Sequence, residues 1–523
     1  MFREITGTPD YPELEREVLR FWDERRIFDK LREKNRGGPH WSFIDGPITA
    51  NNPMGVHHAW GRTYKDIFQR FMAMRGFDQR YQNGFDCQGL WVEVEVEKDL
   101  GLNSKRDIVS YGLDRFADAC RARVEKYSQV QTEQSRRLGQ WMDWDHSYFT
   151  MTDTNIEYIW HFLKECHRRG WLYKGQRAMP WCARCGTSLS QHELIDSYRD
   201  MTHRSLTVKL PLLDRPGEFI LVWTTTPWTL TANAALAVHP DLDYARVRRG
   251  DDTLYLSAGT IGRLGPGHEA TGTIKGRELV GLRYRGPFFD LPAQQGLETR
   301  VVAWSDVGEE EGTGVVHIAP GCGEEDYELS KVENLPALVP IDENGIYGPD
   351  YGWLAGKGVG EVAPLIFDDL ERKGMLYNTE DYAHRYPVCW RCQEELVFRL
   401  VDEWFIACDE LRQPMIDAAR TVRWIPEYAG KRMEDWLNNM GDWCISRKRF
   451  WGLPLPFYEC ACGELTVVGS RCELEVLATS GLDQLRELHR PWIDAVTVTC
   501  AQCGRAVQRI PEVGDCWLDA GIV

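Results

Sequence analysis

The stretch DGPITANNPMGVHHAWGR, Asp45 to Arg62, joins an apolar run at Trp41–Ile44 to a segment with helical periodicity. Past it, Tyr64, Ile67, Phe68, Phe71 and Met72 fall on one helical face, and Gly76 supplies a stop. Gln79–Tyr81 reads as the next strand. Strand, polar loop, helix and strand make a βαβ unit, the building block of a parallel nucleotide-binding sheet. His57 and His58 fall at the start of that helix. Free N–H groups and the positive dipole end suit phosphate there, and imidazoles can donate to phosphate oxygens as charge develops. The plainer alternative is a pair of surface histidines on a loop.

Composition bounds the rest. A chain of 523 residues is too long for one core, and domains of ~100–200 residues imply three or four units. With 43% hydrophobic and 27% charged residues the chain reads as soluble and globular. No apolar run approaches the ~20 residues of a membrane span, and the acidic N-terminus has no signal-peptide core. A cytoplasmic monomer with no membrane partner is therefore expected. The net charge of −17 argues against a general polyanion binder, although a local basic strip can still hold nucleic acid.

An amphipathic helix is expected over Tyr11 to Lys30, with Tyr11, Leu14, Val18, Phe21 and Trp22 as its apolar stripe. Between about 201 and 380, short alternating runs separated by Gly and Pro turns predict a mostly β segment. It contains the string Trp223-Thr224-Thr225-Thr226-Pro227-Trp228-Thr229. Hydroxyls that dense after an apolar strand can hold a water or a ribose hydroxyl, or can simply form an edge strand. Sixteen cysteines in a chain of this kind point to metal ligands or buried apolar positions. Cys182-x-x-Cys185 and Cys389-x-x-Cys392 each form half of a tetrahedral zinc site, and Cys460-x-Cys462 with Cys500-x-x-Cys503 suits a zinc ribbon. Four thiolates leave no open position for catalysis, so structural Zn2+ is expected.

Several of these segments, in order, resemble class I aminoacyl-tRNA synthetases, the isoleucyl-tRNA synthetases in particular. Asp45, Gly46, Pro47, Ala50 and Asn51 match the family's D-G-P…A-N loop, and Asn83 to Lys98 is similar to its G-x-D-C-x-G-L stretch. The family's His-x-Gly-His stands here as Gly55-Val56-His57-His58, so one imidazole is displaced by two residues. Either it reaches phosphate by another path or adenylation is weakened. The Thr string resembles the editing-domain peptide, and Gly312 to Gly321 with Glu325-Asp326-Tyr327 resembles the family's G-T-G-x-V-H-x-A-P-G…D-D-Y. Cys322 stands where the family commonly has His. Asp442 to Gly452 is similar to D-W-C-I-S-R-Q-R-x-W-G, and Asp515 to Gly521 to D-V-W-F-D-S-G.

The resemblance implies a Rossmann-like α/β catalytic core, split by a mostly β editing domain and carrying zinc-ribbon-like insertions. It divides the chain into 1–200 (first half of the core with the first Cys pair), 201–380 (editing domain) and 381–523 (return to the core). ATP with Mg2+ would bind at Gly46, Pro47, Asn51, Gly55 and His58, with His57 and His58 catalytic. Isoleucine would lie against Pro47, Asp86 and Trp517, with Asp86 taking its ammonium. Thr224, Thr225, Thr226, Asn233, His317 and Asp326 would form the editing site. Ser446, Arg447, Lys448 and Arg449 would face the acceptor end of tRNA(Ile), unless they are a charged loop beside core tryptophans. The implied activity is isoleucine-tRNA ligation with hydrolysis of mischarged Val-tRNA(Ile). The alternatives are a paralogue that acts only as a deacylase and a valine-tRNA ligase.

Overall fold

The computed structural model describes residues 7–43, 46–189, 191–194 and 197–523; Asp45 and Ile44 lie outside the described residues. The chain divides into two compact units, one of residues 1–173 with 405–523 and the other of 174–404.

In the first unit, His40–Trp41 pairs in parallel with Asp78–Gln79. Ile48–Thr49 pairs in parallel with the strand Gln82–Asp86, which pairs in parallel with Asp143–Phe149. The helix Val56–Met74 connects them, so the βαβ expectation holds. Helix Leu113–Arg137 lies beneath the loop. Its buried positions Phe116, Cys120, Val124 and Ser128 recur every four residues, one face of a 3.6-residue helix. Phe116, Cys120 and Val124 pack with Ala50, Phe85, Val92, Val96 and Trp451 in one core.

Two expectations about helices need correction. The N-terminal segment is two helices, Tyr11–Glu24 and Ile27–Asn35, broken where Arg26 takes a left-handed conformation at φ 52°. In the first of them Tyr11, Leu14, Val18 and Phe21 are exposed, and only Trp22 of the stripe packs inward, edge-on to Trp141 at 5.0 Å. In Val56–Met74 the apolar face with Tyr64, Ile67, Phe68 and Phe71 is likewise exposed, and the buried positions are Arg62, Gln69 and Ala73. Arg62 reaches Asn83 and Gln140, and Gln79 donates to the Gln69 carbonyl, so polar side chains seat this helix on the sheet.

The second unit is mostly β. A six-stranded sheet runs Glu269–Lys275, Asp243–Arg249, Asp252–Ser257, Glu218–Thr224, Tyr198–Pro211 and Leu376–Pro387 in spatial order. A smaller sheet places Ala235–Val238 between Arg300–Ala303 and Val316–Ile318. Leu206, Val208, Ile220, Val222, Leu236 and Val301 meet in its core. No helix among the described residues is long and apolar enough to cross a membrane.

Candidate functional site

The loop after the first strands is held by a helix that supplies three polar side chains at helical spacing. Arg123 donates to Asn51 Oδ1 at 2.7 Å and to Asn52 Oδ1 at 3.0 Å. Gln131 Nε2 donates to the carbonyls of Thr49 and Asn52, and Gln134 Oε1 accepts from Met54 N. Asn51 also donates to the Trp91 carbonyl at 3.0 Å. Its amide is thus engaged on both sides and buried, and it shapes the loop from within.

Gly55 caps the helix Val56–Met74. His58 Nδ1 accepts from Gly55 N at 3.1 Å, which leaves the proton of the neutral ring on Nε2, a donor. Burial, then His57, Arg62 and Lys65, lowers the His58 pKa and favours that neutral form. The exposed His57 ring lies 3.9 Å from that of His58. Gly46 and Pro47 line a cavity of about 290 Å³ with Phe43, Arg62, Asn83 and Tyr148; His57, His58, Asp86 and Trp517 are not among its walls.

Asp86 ends its strand and accepts from Thr49 Oγ1 at 2.7 Å. Burial pushes its carboxyl up to about 6, against hydrogen bonds from Thr49 and from the Gln88 and Cys87 amides. The short helix Cys516–Gly521 sits on the following segment. A Cβ added to Gly89 would come within 2.9 Å of Cys516, and Gln88 donates to Asp519 at 3.0 Å. This sets the helix that bears Trp517 against the Gln88–Gly89 segment just after Asp86, across more than 400 residues of chain, and Trp517 is 52% exposed.

The Arg residues expected to face tRNA are buried. Arg447 pairs with Asp515 at 2.9 Å, and Arg449 pairs with Glu93 and Glu97. Internal carboxylates claim both guanidinium groups, so neither presents a surface to a phosphate.

In the second unit, Thr224, Thr225, Thr226, Thr229, His317, Cys322 and Asp326 line a cavity of about 270 Å³. The strand Glu218–Thr224, the turn Pro227–Ala232, the strand Val316–Ile318 and the first turn of helix Glu324–Glu333 supply them. Thr229 Oγ1 donates to the Thr226 carbonyl at 2.8 Å, so it accepts from His317 Nε2 at 2.8 Å. His317 Nδ1 then accepts from Asn233 Nδ2 at 3.4 Å, and Asn233 Oδ1 accepts from Tyr284 OH at 2.6 Å. Asn233 therefore stands behind the histidine and is not a cavity wall. Burial alone pulls the His317 pKa to about 4. Asp326 accepts from Ala319 N at 2.7 Å, and burial pushes it up to about 6. Thr229 and Tyr284 were not among the sequence candidates. Thr229 lay in the hydroxyl string, whereas nothing local marks Tyr284.

The four sulfurs of Cys182, Cys185, Cys389 and Cys392 lie within 4.8 Å of one another, as do those of Cys460, Cys462, Cys500 and Cys503. Four thiolates converging at that spacing fit a tetrahedral, thiophilic ion.

A parallel βαβ unit with a helix-capping His loop, together with a β unit holding a Thr/His/Asp cavity, defines the class. A family model described as tRNA synthetases class I (I, L, M and V) matches residues 17–523, and the chain belongs to that family. It is similar to the isoleucine–tRNA ligase of Thermus thermophilus, at 41% identity over 534 residues covering 100% of this chain and 50% of that protein. The isoleucine–tRNA ligase of Methanothermobacter marburgensis is 40% identical over 514 residues, covering 97% and 49%. That of Streptomyces coelicolor is 40% identical over 533 residues, covering 99% and 50%. The chain spans about half the length of these relatives.

Proposed function

We propose that this chain carries the amino-acid activation and editing sites of an isoleucine–tRNA ligase that uses isoleucine, ATP with Mg2+, and tRNA(Ile). The observation that carries the reading is the similarity to isoleucine ligases across 97–100% of the chain, coincident with both candidate sites.

In the activation site, the helix N-terminus at Gly55 and the Nε2–H of His58 supply donors to the α-phosphate, with His57 beside it. Asp86 takes the α-ammonium, and Trp517 and Pro47 offer apolar surface to the side chain. The isoleucine carboxylate forms a bond to the α-phosphorus as the bond to pyrophosphate breaks. The ribose hydroxyl at the tRNA 3′ end then attacks the acyl carbon, and AMP leaves. Magnesium bound with ATP would neutralise phosphate charge. Rate enhancement on this reading comes from positioning and charge stabilisation.

A pocket for isoleucine rejects valine weakly, since one methylene is worth ~1–3 kcal/mol, the established case for this enzyme class. A second, hydrolytic site answers that. Both ring nitrogens of His317 are engaged and its proton sits on Nε2, so it is not the base for water. It instead fixes Thr229, and through it the hydroxyls of Thr224 and Thr226. Asp326, with one oxygen on Ala319 N, offers the other to the ammonium of the misplaced amino acid. The two four-cysteine groups would hold Zn2+, closing turns without contributing an open coordination position.

A second reading, a deacylase that forms no adenylate, draws support from the displaced histidine of the Gly55-Val56-His57-His58 loop. Isoleucine-dependent pyrophosphate exchange and Val-tRNA(Ile) hydrolysis, measured together on a full-length form, separate the two. The ligase reading expects both, with valine activated in exchange only about 10–200-fold less well than isoleucine and hydrolysis lost in Asp326→Ala. Hydrolysis without exchange would leave only the deacylase.

A further inference from the structure

We infer that Asp519 is a second carboxylate of the amino-acid subsite, sharing with Asp86 the ammonium group of the bound amino acid. The inference rests on the activation reading above and adds a residue to it.

Asp519 is fully buried in the helix Cys516–Gly521. Its Oδ1 accepts from Gln88 Nε2 at 3.0 Å, and its Oδ2 is buried with no hydrogen-bond partner among the described residues. Asp86 is better supplied, with Oδ2 accepting from Thr49 and the Gln88 and Cys87 amides facing its carboxyl, but its Oδ1 is also buried with no hydrogen-bond partner among the described residues. One residue spans both, because the Gln88 backbone amide faces Asp86 while its side chain holds Asp519.

The Gln88 amide has one possible orientation. Its nitrogen also donates to the Thr150 carbonyl at 2.8 Å, and its oxygen faces His489 Nε2 at 2.9 Å. His489 is itself stacked on Trp451, with ring centroids 4.7 Å apart. The framework around the carboxylates is therefore fixed before any ligand arrives.

What the framework lacks is a counterion. No Lys or Arg pairs with Asp86 or Asp519 among the described residues, and nearby Asp515 is already matched by Arg447. Two carboxylates at low dielectric without a cation oppose each other's ionisation. Burial, then Asp86, then Asp515, accordingly raise the proton affinity of Asp519 far above an ordinary carboxyl. A primary ammonium has three N–H donors and one positive charge, which suits two carboxylate oxygens that lack hydrogen-bond partners among the described residues. A metal ion suits them less: among the described residues, the only groups of three or more metal-type ligands are the two cysteine sets. On binding, the ammonium displaces the proton held by the pair, and that proton passes to solvent.

Calorimetric titration of isoleucine into the 523-residue chain at pH 7.5, in two buffers of different ionisation enthalpy, reads both affinity and proton release. Wild-type protein should release a proton; Asp519→Asn should abolish the release and weaken isoleucine at least tenfold. Without ligand this variant should melt at or above wild type, because a buried unpaired acid has become a neutral amide. On unmodified protein, 2-methylbutylamine should provoke the release, and 3-methylpentanoate, which has no amine, should not. Unchanged affinity and release in Asp519→Asn, with binding lost in Asp86→Asn, would overturn the inference and leave the activation reading standing. Proton release by 3-methylpentanoate would also overturn it. No binding of isoleucine, valine or leucine by wild type would bring down both.

Discussion

At the scale of single residues, His317 is the side chain whose chemistry the fold constrains most. Its ring is buried, each nitrogen has a partner, and its pKa is pulled to about 4 by burial. An unfolded histidine titrates near 6.5, so the unfolded chain binds this proton more readily than the folded one. The stability due to the neutral ring is complete above about pH 6.5 and falls away as the pH drops toward 4. A shift of that size corresponds to about 3 kcal/mol across the window. His317→Gln keeps an N–H for Thr229 and removes the titration. Urea unfolding of wild type and variant should therefore differ by an amount that shrinks by about 3 kcal/mol from pH 7 to pH 4. A constant offset would mean that the ring is not held neutral. The family resemblance of Gly312 to Gly321 singled out His317, but not its tautomer, because the partners that set it, Thr229 and Asn233, come from 84–88 residues away.

At the scale of elements, the cysteine turns were the most legible features of the chain, since each is local. In all four, the residue after the second cysteine is left-handed: Gly186 at φ 61°, Gln393 at 68°, Gly463 at 94° and Gly504 at 72°. Its N–H returns to the carbonyl of the first cysteine at 2.7–2.9 Å, and this folds both sulfurs to one side. Elemental analysis should find two zinc ions per chain. Cys462→Ser, at an exposed ligand of the second group, should lower the count to one and leave the Cys182 group loaded. A count of zero in metal-replete wild type would reject the zinc assignment. The helices show the opposite case. The stripes Tyr11-Leu14-Val18-Phe21 and Tyr64-Ile67-Phe68-Phe71 have core periodicity, yet both are exposed. Periodicity marks a face as apolar; it carries no information on what, if anything, covers that face. The seating of Val56–Met74 instead depends on Arg62 and Gln69, which no hydrophobic pattern selects.

At the scale of the whole chain, the basic segment Ser446–Arg449 misled the sequence reading for a reason that can be tested. A run of charges reads as surface when its partners are distant, and here they are Glu93 and Glu97, more than 350 residues earlier. Arg449, Glu93 and Glu97 are all nearly inaccessible, and Glu93 also accepts the backbone N–H groups of Phe450 and Trp451. Trp451 in turn donates to the Cys87 carbonyl and carries the His489 stack. One guanidinium thus fastens the late segment of the first unit against the strand end that bears Asp86. Removing it leaves two buried carboxylates uncompensated, which typically costs ~3–5 kcal/mol. Arg449→Met, with similar bulk, should destabilise the first unit by about that much and weaken isoleucine, because Asp86 and Gln88 lose their backing. Arg168→Ala, at an exposed pair with Glu165, should cost under ~1 kcal/mol. If Arg449→Met instead kept full stability and weakened only tRNA binding, the arginine would belong to an RNA surface after all and the buried triad would not hold.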